Sequence, residues 1–184
     1  VLAAMTPRWP RGWYAAFTAT TAGAAGVLTA FVWDDLSDGR ASYLVDGAVR
    51  FDRFACFISI TICIALLGAA LLADDFLRRE GLDGPEVYAL FMTSAIGGIV
   101  MGAANDLVVL FLGLETLSIA LYVLAASNRR RNESQEAGLK YFILGGFSSA
   151  FFLYGIALIY GVTGTTRLTS ATSADASVFA FLQN

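Results

Sequence analysis

The stretch VLFLGLETLSIALYVLAASNRRR, Val109 to Arg131, decides the fold. It has the length and apolar character of a membrane-spanning helix, and three arginines close it. Inside it sits one carboxylate, Glu115, with only apolar or small uncharged residues for many positions on either side. A charge in that setting is costly, so a membrane helix that keeps one needs a reason.

Four more segments have the same character. About 20 apolar residues cross a hydrocarbon core, and residues 13–33, 54–73, 87–105, 107–127 and 137–162 each qualify. The first is uncharged and bracketed by Trp13 and Trp33, aromatics suited to the two interfaces. The expected fold is therefore all-α: a polytopic membrane helix bundle with five transmembrane helices, residues 1–184 forming part of a single transmembrane domain. Composition agrees. The chain is 57% hydrophobic and 15% charged, with a mean hydropathy of +0.66, which is too apolar for an ordinary soluble domain. The net charge of −3 and pI near 4.8 argue against nucleic acid as a partner. Membrane lipids are the expected surroundings.

The loops orient the bundle. Arg8, Arg11, Arg78, Arg79, Arg129, Arg130 and Arg131 fall on one side, and Arg40, Arg50, Arg53 and Arg167 on the other. The excess on the first side predicts that the Arg129–Arg131 loop is cytoplasmic. The Asp-rich loop 34–53 then lies outside, with the polar segment from Thr163 to Ser177. Within that loop, Asp46-Gly47 is a favoured type I′ pair between β-prone residues and predicts a short hairpin. Asn105-Asp106 leaves so little room between two helices that they should form a tight antiparallel pair. Gly98 and Gly102, and likewise Gly145 and Ser149, are small residues at the spacing that lets membrane helices approach closely. Cys56 and Cys63 share a helix face two turns apart, too far for a disulfide. With no His and no CxxC pair, the chain is expected to hold no zinc, haem or iron–sulfur group.

Glu115 is the ninth residue of its helix, about 12 Å from the outer end of a core ~30 Å thick. A charge there costs at least ~2.5 kcal/mol. The carboxyl can be protonated, paired with a cation or turned to water inside the bundle. Ser118 and Tyr122 share its face at i+3 and i+7 and form a polar stripe toward the cytoplasmic end, a candidate proton path. The alternative is a structural carboxyl that hydrogen-bonds a neighbouring helix. Lys140, near the cytoplasmic start of the last helix, is the second candidate for proton transfer. Its alternatives are snorkelling to the headgroups and pairing with Glu136 at i−4.

FLGLETLSIALYVLAASNRRR (Phe111–Arg131) followed by EAGLKYFILGGFSSAFFLYGIALIYGVTGTT (Glu136–Thr166) resembles subunit N of the bacterial proton-pumping NADH:quinone oxidoreductase, respiratory complex I, whose mitochondrial counterpart is NADH dehydrogenase subunit 2. The resemblance is dense over roughly Glu86 to Thr166. Sister subunits L and M and the cation/proton antiporter subunits usually carry Trp-Glu where this chain has Leu114-Glu115. The resemblance implies an antiporter-like fold of roughly fourteen helices in the bacterial plasma (inner) membrane, coupling electron transfer to quinone with proton pumping through buried Glu and Lys charges. It implies that Val1 to Met5 ends a first helix, and that a lysine on a broken seventh helix partners the glutamate. Glu115 matches the family's fifth-helix glutamate, and Lys140 a sixth-helix lysine. NADH, flavin, iron–sulfur clusters and quinone are then expected in partner subunits, among them the antiporter-like subunit M and small membrane subunits such as K. The alternatives are a subunit of a multi-subunit cation/proton antiporter and a structural or assembly membrane protein. The opening VLAAMTPRW, without a charged leader, reads as the tail of an earlier apolar segment, and the chain is expected to be a fragment.

Overall fold

The computed structural model describes residues 12–36, 41–80, 84–169 and 177–183. Val1–Met5, Arg8, Arg11 and Arg40, used in the sequence reading, lie outside them. Five long helices follow one another: α1 (Trp13–Asp35), α2 (Arg53–Glu80), α3 (Pro85–Gly102), α4 (Leu107–Ala125) and α5 (Asn132–Thr163). All five are long and apolar enough to cross a membrane. A five-residue helix, α6 (Val178–Leu182), ends the described chain. The outer surfaces are apolar: Phe17, Phe31, Leu72, Leu144 and Val162 are all exposed. Lipid or other membrane helices can cover such surfaces without the cost that water would impose.

Helix ends differ from the apolar limits, and local chemistry explains how. α2 runs to Glu80, past the expected Ala73. Asp74 pairs with Arg78, and Asp75 with Arg79 at 2.5 Å, both at i,i+4, and such pairs support the extra turns. α3 begins two residues early because Pro85 sits at its first turn with Glu86 beside it, both favourable at a helix N-terminus. α5 begins five residues before the expected Ala137. There Ser134 Oγ donates to the Ala125 carbonyl at 2.6 Å, and Gln135 donates to the Arg129 carbonyl at 2.8 Å, so the turn between α4 and α5 caps one helix end with the start of the next.

The packing uses small residues. Gly98 and Gly102 face α2, where an added Cβ would meet Ile62 at 3.0 Å and Ile58 at 2.7 Å. The tightest backbone approach lies elsewhere. A Cβ on Gly97 would come within 2.5 Å of the Leu117 nitrogen, and one on Gly113 within 2.8 Å of the Met101 nitrogen. These two glycines let α3 and α4 touch backbone to backbone.

The loops on the opposite side from Arg129–Arg131 are stitched together. Strands β1 (Ser42–Leu44) and β2 (Val49–Phe51) form an antiparallel hairpin. Its turn is wider than the Asp46-Gly47 pair. Val45 (φ 52°), Asp46 (φ 54°) and Gly47 (φ 82°) are all left-handed, and the Gly47 and Ala48 amides donate back to Leu44 and Val45. As expected, α3 and α4 form a tight antiparallel pair; α3 stops at Gly102 rather than about Asn105, and the two helices are joined by the short segment 103–106. Its backbone groups are taken by neighbours. Arg50 N–H donates to Ala103 O and Asn105 N–H to Ala48 O, while Leu168 N–H donates to Asn105 O, each at 2.8 Å. Asn105, 2% exposed, donates its side-chain amide to the carbonyls of Gly47 (2.8 Å) and Thr169 (3.0 Å). Asp106 caps α4 by accepting from Val108 N–H at 2.8 Å, and also accepts from the Thr166 hydroxyl at 2.7 Å.

Candidate functional site

Helices α4 and α5 run antiparallel, and their seam carries the site. At its arginine-loop end, Gly138 lies against Ala126. At the hairpin end, the rings of Phe111 and Phe152 stack with centroids 6.3 Å apart. Between these contacts Glu115, half-buried on α4, accepts a hydrogen bond from the Ser149 hydroxyl of α5. The carboxylate thus faces the neighbouring helix. The hydroxyl satisfies one of the carboxyl's oxygens, and this contact compensates part of the cost of burying it.

Tyr122, one of the residues expected to share the Glu115 face, is buried in the same seam at 8% exposure. Its ring meets Tyr141 edge-on at 4.8 Å and Phe142 at 5.8 Å. Its hydroxyl lies over Gly145, where a Cβ would collide with it. The small pair Gly145 and Ser149 therefore has two separate uses, one receiving Tyr122 and the other Glu115. Ser118 is half-buried between them and has no side-chain hydrogen bond among the described residues.

Lys140 is not brought to this seam. Its ammonium pairs with Glu136 at 2.5 Å, and its side chain is 69% exposed. Nine residues separate it from Ser149, which at 100° per residue is half a turn around α5 and about 13 Å along it. It stands on the flank of α5 that faces away from α4. Ser149 carries no charge to mark it in the sequence, where only its spacing from Gly145 singles it out, as a helix-packing pair.

On the arginine-loop side, an open cavity of about 1140 Å³ lies between α3, α4 and α5. Glu80, Glu86, Arg129 and Arg130 line it, together with Tyr122 and Phe142. Arg131 reaches Glu80 at 3.3 Å and ties this loop to the end of α2. Cys56 and Cys63 are free thiols buried in α2. Among the described residues, no group of three His, Cys, Asp or Glu side chains is arranged to hold a metal.

Comparison with known proteins gives this geometry a setting. The profile of the transmembrane family described as NADH:quinone oxidoreductase/Mrp antiporter matches residues 104–183. NADH-quinone oxidoreductase subunit N of Trichlorobacter lovleyi is 48% identical over 126 residues, which is 68% of this chain and 26% of that protein. Subunit N of Salinibacter ruber is 42% identical over 154 residues, 83% of this chain and 31% of that protein. The chain thus spans between a quarter and a third of the length of these relatives. Among solved structures, respiratory complex I from Thermus thermophilus with bound aureothin matches with a TM-score of 0.72 at 27% identity, over 92% of this chain and 36% of that one. The membrane-bound sulfane sulfur reductase, an archaeal respiratory membrane complex, matches with a TM-score of 0.72 at 28% identity, over 83% of this chain and 33% of that one.

Proposed function

The chain belongs to the antiporter-like membrane-subunit family that includes subunit N of NADH-quinone oxidoreductase, and from that premise we propose that it moves protons across a bacterial plasma membrane as part of that complex. The observation that carries the proposal is the Ser149–Glu115 hydrogen bond, a titratable group held by a hydroxyl within an apolar two-helix seam. Glu115 takes up and releases the proton. Ser149 orients its carboxyl. Tyr122 and Ser118 lie along the route toward the arginine loop, which the arginine bias makes the cytoplasmic side. Lys140, on the outer flank of α5, acts on the proton path from a distance, by its charge.

In this reading, NADH, flavin, iron–sulfur clusters and quinone belong to partner subunits, and the antiporter-like subunit M and small membrane subunits such as K flank this chain. The fold does not choose the redox partner, because the sulfane sulfur reductase complex matches it as well as complex I does. The preference for NADH-quinone oxidoreductase rests on the subunit N relatives and on Leu114, which stands where the antiporter subunits usually carry Trp. Replacing Glu115 by Gln in the assembled complex tests the proposal: loss of proton uptake supports it, and wild-type uptake rejects it.

A further inference from the structure

Resting on Glu115 as the protonatable group, we infer that the Tyr122 hydroxyl is the gate through which protons reach it from the cavity on the arginine-loop side, and that Gly145 is a positioning residue for that hydroxyl. The cavity lining carries charges of both signs, from Glu80, Glu86, Arg129 and Arg130, and charged side chains keep such a cavity hydrated. Tyr122 also lines the cavity and is nearly closed off from solvent. The tyrosine ring is clamped edge-on by Tyr141 and Phe142. Side chains on a helix lean toward its N-terminus, so Tyr122 leans along α4 toward Glu115. Its hydroxyl then rests on the α5 backbone at Gly145, the position where any side chain would displace it.

From Gly145 to Ser149 is one helical turn, about 6 Å of rise. Three hydrogen bonds of about 2.8 Å through two intermediate oxygens, one of them a water, span that distance. Ser118, three residues from Glu115 and four from Tyr122 on the same helix, supplies a hydroxyl in the interval. The step balances without an oxidant or reductant. A proton from cavity water bonds to the Tyr122 oxygen as the hydroxyl's own proton leaves inward. The phenol is neutral before and after, each relay oxygen likewise keeps the proton it receives and passes on its own, and the proton released by the last of them ends on the Glu115 carboxylate.

The test uses the complete complex, with its full-length subunit, in proteoliposomes. Tyr122→Phe keeps the ring and its edge contacts and removes only the hydroxyl. Because a positioned proton donor contributes roughly 10²–10⁴-fold, proton uptake should fall at least tenfold with assembly and the KM for quinone unchanged, and the solvent deuterium isotope effect on the residual rate should rise. Gly145→Ala, which displaces the hydroxyl, should reproduce that phenotype, and the double variant should be no slower than either single one. If Gly145→Ala fails to assemble, Tyr122→Phe alone carries the test. Wild-type uptake in Tyr122→Phe alongside blocked uptake in Glu115→Gln would overturn the gate and leave the Glu115 reading standing. Wild-type uptake in both would overturn both.

Discussion

Ser149 of α5 donates a hydrogen bond to Glu115 of α4, and this contact joins the two helices at the depth where the apolar seam holds its one carboxylate. If the hydroxyl orients the proton-carrying group, Ser149→Ala should slow pumping while Ser149→Thr, which keeps a hydroxyl, retains most of it. The alanine variant leaves a half-buried carboxyl short of one partner, a loss of about 1–3 kcal/mol. Thermal unfolding of the purified complex would register that loss. Proton uptake separates the two variants, and equal rates in both would make the contact purely structural.

Lys140 pairs with Glu136 on the exposed flank of α5. Acting only through its charge, it should be helpful without being essential. Lys140→Ala is expected to lower proton uptake partly, and Lys140→Arg to keep most of it. Full uptake by an assembled Lys140→Ala complex would mean that the lysine serves only to snorkel and to pair with Glu136.

Asn105 is a stitch rather than a site. Its side-chain amide donates to Gly47 and Thr169, and its side-chain oxygen accepts from the Thr169 amide at 3.1 Å. Asn105→Asp keeps the size but cannot donate to two carbonyls. Leaving buried carbonyls unpaired costs about 1–3 kcal/mol each. The variant should assemble in lower yield and melt earlier, with pumping per assembled complex unchanged. A wild-type melting temperature would show that the outer loops do not depend on this residue.

The arginine bias makes the Arg129–Arg131 loop cytoplasmic. A cysteine at Asn132, at the start of α5, should resist a membrane-impermeant thiol reagent added to intact cells and react in inverted vesicles. Efficient labelling of intact cells would reverse the orientation.

The five spanning helices were legible in the sequence because apolar length alone dictates them. Their ends were not, because polar contacts set those. The paired Asp74–Arg78 and Asp75–Arg79 carry α2 past its apolar stretch, and the backbone of 103–106 is drawn out of α3 by the hairpin and by Leu168. Glu115 was legible as the lone carboxylate, and Tyr122 as sharing its face. Ser149 as its partner was not, since that requires the register between α4 and α5. Yet once the turn brings Ala126 against Gly138, the register follows. Glu115 lies eleven residues back from Ala126, and Ser149 eleven residues on from Gly138, so equal rise along antiparallel helices brings the two level. Gly97 and Gly113 are not legible as a contact because they sit on different helices and form no motif within either.

Proton transfer along the α4–α5 seam requires Glu115 to change its protonation state. Glu115→Gln retains size and hydrogen-bonding capacity toward Ser149 and removes the proton site. The decisive measurement is substrate-driven proton uptake in proteoliposomes carrying the Glu115→Gln complex, with assembly and subunit content checked in the same preparation. Uptake should be abolished, quinone reduction should fall with it, and Glu115→Asp should lie between the variant and wild type. Wild-type uptake by a fully assembled Glu115→Gln complex would contradict it, reducing the carboxylate to a structural partner of Ser149.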